Sequence, residues 1–286
     1  MSEAASARIR VAAITLDFGN TLVRVDRPGF RDVDDRTAAV LARQGIVADR
    51  AGFLVAWAEE RARQFREEVP EFREVDVDQR AVRVLARLRG MTPPPARRRW
   101  DDAAAAARVE PAEVEAVVEA FSAAFVDRMT PVDDATTTLQ RLSERGFSLA
   151  ILSNWPLART IDRFAVAHDW TRYLHAIVVS QRVGTIKPHP RIFEAAAAAL
   201  GLVGRGREIL HVGDDWAADV IGANGAGWRT AYLRDRQADT PLPTSRPGDA
   251  GDKAEAGAGI VADLVIDELS DLDRRVELLP PPTRAT

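Results

Sequence analysis

The sequence predicts an α/β protein: a parallel sheet with helices on both faces, joined to an all-helical insert. Two observations carry this prediction. Beyond Pro131, short apolar runs alternate with helical segments of about ten to fifteen residues, a pattern typical of parallel β–α units. From about Arg24 to Arg128, apolar residues instead recur at helical spacing, and no strand pattern interrupts them.

The chain opens on a buried-strand pattern, Val11–Leu16, which ends at Asp17. Five amphipathic helices are predicted in the insert, where Gly45, Pro70, Gly90 and a proline run separate them. These helices are expected at residues 33–44, 50–68, 77–89, 98–108 and 112–127.

Strands are predicted after the insert at residues 147–152, 176–180, 208–212, 230–233 and 261–266, with helices between them. The pattern divides the chain into a core, residues 8–23 and 130–279, and a helical domain, residues 24–129. Residues 236–259 are rich in Pro, Gly, Ser, Asp and Ala, which predicts a flexible surface loop, and the tail 280–286 is expected to be disordered.

Composition excludes several classes of function. The formal charge of −4 does not suit a general binder of nucleic acids or of anionic membranes. The sequence has no cysteine, so disulfides, thiolate metal sites and cysteine nucleophiles are excluded. No apolar run reaches the roughly 18 residues that span a bilayer, and no signal-peptide pattern precedes Arg10. We therefore expect a cytoplasmic protein, a monomer or homodimer, with no nucleic-acid or membrane partner.

Polar residues cluster where predicted strands end, and ligands bind beyond the carboxyl ends of strands in open parallel sheets. Four segments carry these residues: Asp17 to Leu22, with Gly19 and Thr21; Ser153-Asn154; Lys187-Pro188; and Gly213 to Asp219, with Asp214 and Asp215. Carboxylates suit a hard cation such as Mg²⁺, while a lysine and hydroxyl groups suit the oxygens of a phosphoryl group. Each segment alone is ordinary turn or capping chemistry; their order along the chain gives them weight.

This ordered set resembles the haloacid dehalogenase-like (HAD) hydrolase superfamily, in particular the branch with a helical cap inserted after the first motif. The resemblance covers Val11 to about Leu279. It implies a Rossmann-like core, a mobile cap at residues 24–129, and either Mg²⁺-dependent removal of phosphate from a small metabolite through an aspartyl-phosphate or, as in the dehalogenases, halide displacement.

The resemblance also implies a role for each motif residue. Asp17 matches the nucleophile and a metal ligand, and Lys187 matches the lysine that neutralises nucleophile and phosphate. Thr21 and Ser153 match hydroxyl groups that hold the phosphate, and Asn154 is expected to line the same pocket. The metal would be held by Asp17, the Gly19 carbonyl and Asp214, with Asp219 in support and Asp215 as a further candidate.

The sequence departs from the family at Gly19. Phosphatases of the family carry there a second aspartate, which protonates the leaving oxygen and then activates water. Glycine cannot do this, and such a group contributes about 10²- to 10⁴-fold in rate. Three readings stay open: a phosphatase whose acid comes from elsewhere or whose substrate has a good leaving group, a catalytically weak relative that binds a phosphorylated ligand or partner, and a 2-haloacid dehalogenase.

Lysine usage adds an observation of a different kind. Only Lys187 and Lys253 occur in a chain of 39 basic residues, all others being arginine. The compact ammonium of lysine can lie between a carboxylate and a phosphoryl oxygen, where the broad guanidinium of arginine fits poorly. Retention of a lysine at position 187 therefore favours an intact phosphate pocket.

Overall fold

The computed structural model describes residues 8–234, 239–249 and 259–279. Its centre is a six-stranded, all-parallel sheet, and two short two-stranded pairings lie beside it. The strands are β1 (Ile9–Val11), β2 (Ala13–Leu16), β3 (Val23–Arg24), β4 (Thr130–Pro131), β5 (Ser148–Ser153), β6 (Leu174–Val179), β7 (Ile209–Gly213), β8 (Arg229–Leu233), β9 (Leu264–Ile266) and β10 (Val276–Leu278). The predicted α/β class is confirmed.

The strand before Asp17, β2, lies beside the strand before Asp214, β7. The sheet runs β6-β5-β2-β7-β8-β9, so β2 lies between β5 and β7. Leu16, at the end of β2, is in register with Ile151 of β5 and Val212 of β7. Because all three strands are parallel, Asp17, Ser153 and Gly213 leave the sheet at the same edge.

The two faces of the sheet pack against different layers. Alternate residues of one strand enter different apolar clusters, as Ile151 and Leu152 do in β5. The helices are α1 (Arg27–Arg43), α2 (Arg50–Glu67), α3 (Val77–Leu88), α4 (Asp102–Ala106), α5 (Pro111–Arg128), α6 (Ala135–Glu144), α7 (Ala158–Ala167), α8 (Ser180–Val183), α9 (Pro190–Ala199), α10 (Gly222–Gly225) and α11 (Leu272–Arg275). A π-helical turn, Trp216–Ile221, leads directly into α10.

The helical insert, residues 24–129, contains α1 to α5 and no strand between residues 25 and 129, all of which the structure describes. Helix α1 begins six residues before the predicted start, because the Asp26 side chain accepts the Gly29 N–H at 2.6 Å and Pro28 suits the first turn. The predicted helix 98–108 is shorter in the structure: α4 starts at Asp102, after the Asp101 cap.

Two other elements differ from the prediction. The run Val11–Leu16 is broken at Ala12: β1 pairs with β10, whereas β2 joins the main sheet. The helix expected between the strands at 208–212 and 230–233 is a π-helical turn followed by one α-helical turn. Strands β3 and β4, which pair antiparallel where the insert leaves and rejoins the core, were not predicted.

The predicted surface loop 236–259 is described in part. Residues 239–249 pack between the insert and the strand ends, and the rest lies outside the described residues, as does the predicted disordered tail 280–286. We call residues 239–245 the strap. None of the described helices is both long and apolar enough for a bilayer span.

Candidate active site

Lys187 lies at the centre of the converging strand ends. Its ammonium donates to Asp17 Oδ1 at 2.7 Å, to Asp219 Oδ1 at 2.6 Å and to the Leu152 carbonyl at 2.9 Å. The side chain is 2% exposed. Three acceptors around one small cation use all its N–H groups, so its position is fixed by geometry as well as by charge.

Asp219 is the second carboxylate that binds this lysine. It is buried, and its Oδ2 accepts the Asp215 backbone N–H at 2.9 Å. Its Oδ1 also contacts His211 Nε2 at 3.0 Å, and His211 Nδ1 contacts Thr15 Oγ1 at 2.8 Å. Both ring nitrogens of His211 are therefore engaged, which leaves no free N–H to replace an acid at the pocket.

The pKa values follow from this arrangement. Burial alone would raise the pKa of Asp219, but the Lys187 ammonium and the His211 contact outweigh it, so the pKa is lowered. Burial likewise opposes the charge on Lys187, yet Asp17 and Asp219 together raise its pKa. Burial lowers the pKa of His211, and the nearby ammonium lowers it further, so the imidazole is neutral.

The negative charge of Asp214 is less well balanced by its surroundings than that of Asp219. Its oxygens accept hydrogen bonds from Thr21 Oγ1 at 3.2 Å and Asn20 Nδ2 at 3.4 Å. Burial raises its pKa well above the ordinary value, and the carboxylates of Asp17 and Asp219 add to the effect. The Thr21 hydroxyl thus contacts an acidic residue in this structure.

Asp215 has a different set of contacts from those of its neighbour. Its Oδ1 accepts the N–H groups of Ala217 and Ala218 at 3.0 and 3.1 Å and a hydrogen bond from Ser245 of the strap. It therefore caps the π-helical turn and ties the strap to the core.

Ser153 and Asn154 also differ from each other. The Ser153 hydroxyl is buried and has no hydrogen-bond partner among the described residues. The Asn154 amide binds the backbone of the lysine segment: its Oδ1 accepts the Lys187 N–H at 2.6 Å, and its Nδ2 donates to the Lys187 carbonyl at 3.0 Å. Asn154 thus positions Lys187 and also lines the cavity at the strand ends, whereas Ser153 does not line it, and its buried hydroxyl has an unused donor.

Metal-ligating oxygens converge here. One oxygen each from Asp17, Asp214 and Asp219 lies within 4.8 Å of the others. Because Asp219 already bonds Lys187, His211 and the Asp215 N–H, the pair left for a cation is Asp17 and Asp214. Three carboxylates face the one ammonium of Lys187, and burial raises the pKa of both Asp17 and Asp214, so a further cation would stabilise their charged forms. Hard carboxylate oxygens with excess negative charge fit Mg²⁺.

A cavity of about 320 Å³ opens from these carboxylates toward the helical insert. Its walls include residues that the sequence did not single out as pocket residues: Glu74 from the insert, and Leu242 and Ser245 from the strap. Arg61 lines the cavity as well; its helical spacing with Trp57 and Gln64 was visible in the sequence but is more typical of helix packing. Trp155, which follows the second motif, lines the wall beside Phe18.

Gly19 faces the strap in this cavity. A Cβ at this position would lie 2.5 Å from Leu242 Cδ1 and 3.2 Å from Trp155 Cζ3. An apolar side chain and an aromatic ring therefore occupy the space into which a carboxyl group at residue 19 would extend.

Gly213 allows Asp219 to reach Lys187, which makes it a site for a steric test. A Cβ there would lie 2.1 Å from Asp219 Oδ2 and 2.2 Å from its Cγ. We expect Gly213→Ala to displace the carboxylate and to destabilise the protein by about 2–4 kcal/mol in urea unfolding. Gly225→Ala is the control, because a Cβ there meets nothing within 4 Å. Equal stabilities for the two variants would contradict this placement of Asp219.

Comparison with known proteins agrees with the resemblance seen in the sequence motifs. The sequence profile of the haloacid dehalogenase-like hydrolases matches residues 11–227, well over half of the chain. Two curated relatives are glyceraldehyde 3-phosphate phosphatase of Methanopyrus kandleri, 33% identical over 44% of this chain, and ribulose-1,5-bisphosphate 5-phosphatase of Halopiger xanaduensis, 32% identical over 57%. The alignments span 52% and 63% of those relatives.

Solved structures extend the fold comparison over nearly the whole chain. A 2-haloacid dehalogenase from Pseudomonas syringae pv. tomato superposes with a TM-score of 0.60 at 21% identity, over 92% of this chain and 96% of that one. A magnesium-bound protein of the HAD-hydrolase type from Bacillus subtilis gives a TM-score of 0.56 at 16% identity, over 92% and 97%. At these identities the likeness concerns the fold.

Proposed function

Because the chain belongs to the haloacid dehalogenase-like hydrolase family, we propose that it is a Mg²⁺-dependent phosphatase of a small phosphorylated metabolite. The observation that carries the proposal is the hydrogen bond of 2.7 Å from Lys187 Nζ to Asp17 Oδ1. A second support is the Ser153 hydroxyl, which lies at the end of the neighbouring strand β5 and has no partner among the described residues. The names of the curated relatives support phosphate ester hydrolysis over halide displacement.

Asp17 is the nucleophile in this proposal. Its carboxylate attacks the phosphorus atom, the P–O bond to the leaving group breaks, and an aspartyl-phosphate forms. The Lys187 ammonium holds the attacking carboxylate and offers its charge to the phosphoryl oxygens, while the Ser153 hydroxyl donates to one of them. Attack of water on phosphorus then restores Asp17 and releases phosphate. Asp219 and Asn154 act through Lys187, which they hold in position.

The side chains of Asp17 and Asp214, with the Gly19 carbonyl, would hold the magnesium ion, and Asp219 would support the site through Lys187. When bound, the ion neutralises phosphate charge and orients the phosphoryl group. Asp215 is bound to the π-helical turn and to Ser245, so it is the weakest of the predicted ligands. Thr21 would hold Asp214 in place in this arrangement, and its hydroxyl contact with phosphate stays a prediction.

Leaving groups that need little protonation suit a site without an acid at residue 19. Residue 19 has no side chain, and Leu242 and Trp155 fill the space beside it, so the nucleophile loop offers no second carboxylate to protonate the leaving oxygen. The leaving groups of acyl phosphates, anhydrides and aryl phosphates depart without strong acid catalysis, whereas the alkoxide of an alkyl phosphate does not. We therefore expect turnover to fall steeply as the pKa of the leaving alcohol rises.

The test is hydrolysis of acetyl phosphate, an aryl phosphate and an alkyl phosphate, each with Mg²⁺ and with a chelator, alongside chloride release from 2-chloropropionate. Turnover of the first two only in the presence of Mg²⁺ is expected. Chloride release without metal would identify a dehalogenase instead. Binding of phosphorylated ligands with no turnover of any compound would identify a non-catalytic relative.

Restoring the acid gives a second prediction. Gly19→Asp alone places its carboxyl group against Leu242, so only a small gain with an alkyl phosphate is expected. Gly19→Asp combined with Leu242→Ala should raise alkyl phosphate turnover by at least about ten-fold over Leu242→Ala alone, toward the usual range for an acid catalyst. Steady-state rates for the four proteins check this. The explanation of the Gly19 site is wrong if the double variant gains nothing while it still hydrolyses aryl phosphate.

A further inference from the structure

The wall of the cavity that belongs to the helical insert carries two arginines. Arg61 and Arg80 line the cavity together with the catalytic carboxylates. The two guanidinium groups are close enough for the charge of Arg61 to lower the pKa of Arg80, in addition to the larger effect of burial. Cations thus lie on the insert side of a cavity whose opposite wall is rich in aspartate.

Arg80 is bound within the insert. Its side chain is 1% exposed, with Nε donating to Gln64 Oε1 at 2.9 Å and Nη2 to the Val75 carbonyl at 3.1 Å. Its guanidinium carbon also lies 4.9 Å from the centre of the Trp57 ring. We therefore assign Arg80 a structural role.

Arg61 is held in place and has unused donors. Its guanidinium carbon lies 5.0 Å from the ring centres of both Phe30 and Phe65, and Nη2 donates to the Pro241 carbonyl of the strap at 3.2 Å. Within the described residues, no carboxylate oxygen comes within 4.0 Å of its nitrogens. Aromatic rings and one carbonyl thus orient a fork of donors that no acidic side chain satisfies.

Other charges near this wall leave the arginine available. Asp34, the acidic group that acts on both Arg61 and Arg80, accepts the Trp57 indole N–H at 3.0 Å. Glu74 lines the cavity, but its oxygens accept hydrogen bonds from the Val75 N–H and the Ser180 hydroxyl.

We propose that Arg61 binds a second anionic group of the substrate, so that the substrate class is a small phosphate compound with a carboxylate or another phosphate at its far end. This inference rests on the proposed function, which places the reacting phosphate at Asp17 and Lys187. A neutral far end would leave the partly desolvated donors of Arg61 unpaired, whereas an anion would accept two hydrogen bonds from them.

Binding of phosphonates tests this without turnover, because their P–C bond is not hydrolysed. Calorimetry in Mg²⁺ compares three probes that differ at one end: 3-hydroxypropylphosphonate, 2-carboxyethylphosphonate and propane-1,3-diyl bisphosphonate. The wild type should bind the two probes that carry a second anionic group at least about ten-fold more tightly than the hydroxyl probe.

Arg61→Gln should weaken the carboxylate and bisphosphonate probes by about 10- to 100-fold and change the hydroxyl probe by less than about three-fold. Arg66→Gln is the matched control, since Arg66 is an exposed cation of the same helix that does not line the cavity. An equal loss for all three probes, or no loss for any, would overturn the assignment of Arg61. Failure of the wild type to bind any phosphonate would contradict the proposed phosphate pocket itself.

Discussion

Replacing Lys187 by methionine is expected to lower phosphatase turnover by at least about 10³-fold and the free energy of unfolding by about 3–5 kcal/mol. The ammonium joins Asp17 and Asp219 at 2.7 and 2.6 Å in a buried site, and removal of one partner leaves buried carboxylates uncompensated. Urea unfolding and aryl phosphate hydrolysis measure the two effects.

The stability difference between Lys187→Met and the wild type should depend on pH. In the wild type the pKa of Asp219 is lowered, so its contribution to stability is present above about pH 4 and is lost as the pH falls further. Without the cation, burial, the largest effect on this carboxyl group, is opposed mainly by the His211 contact, so we expect the pKa of Asp219 to rise in the variant. The stability deficit of Lys187→Met should therefore shrink as the pH falls, measured with a chelator present.

Two further variants serve as comparisons for Lys187→Met. Lys187→Arg keeps the charge, but its planar guanidinium cannot occupy the same point between three acceptors, so large losses of activity are expected here as well. Arg205→Met removes a surface cation that pairs with Glu208 and should leave the urea midpoint of unfolding nearly unchanged. A fully active, stable Lys187→Met protein would contradict the site.

Asp17→Asn and Asp219→Asn are expected to have opposite effects on stability while both lose activity. Burial raises the pKa of Asp17, so its charged form is disfavoured in the fold, and a neutral isostere should be as stable as the wild type or more so. The pKa of Asp219 is lowered, so Asp219→Asn removes a favourable charge and should cost about 2–4 kcal/mol.

Turnover of aryl phosphate should fall by at least about 10³-fold in both variants, for different reasons: Asp17→Asn removes the nucleophile, and Asp219→Asn releases the lysine that orients it. Thermal unfolding at neutral pH separates the two cases. Equal destabilisation by both substitutions would contradict the opposite pKa directions of the two carboxyl groups, and wild-type turnover by Asp17→Asn would contradict the assignment of the nucleophile.

Sequence pattern predicts the strand ends well because parallel strands bring their carboxyl ends to one edge. Asp17 follows β2, Ser153 and Gly213 end β5 and β7, and continuous apolar runs indicate that these strands are buried on both faces. Lys187 follows no strand; its place depends on the two hydrogen bonds that Asn154 makes to its backbone, a contact between segments 33 residues apart.

Contacts between distant segments account for what the sequence does not predict. The strap has the composition of a loop, and nothing in it indicates that Leu242 would lie against Gly19 or that Ser245 would bond Asp215. Arg61 has the helical spacing of a packing residue, and its position in the cavity depends on how α2 docks on the core. Only the folded chain brings these side chains together.

The most direct measurement is detection of phosphate on Asp17 itself. The enzyme is mixed with acetyl phosphate and Mg²⁺, quenched in acid within one turnover, digested and analysed by mass spectrometry. We expect a phosphoryl group on the peptide that contains Asp17. It should be absent in Asp17→Asn and absent when a chelator replaces the metal. Phosphate release by Asp17→Asn at the wild-type rate, or a phosphoryl group on another residue, would contradict this assignment of the nucleophile.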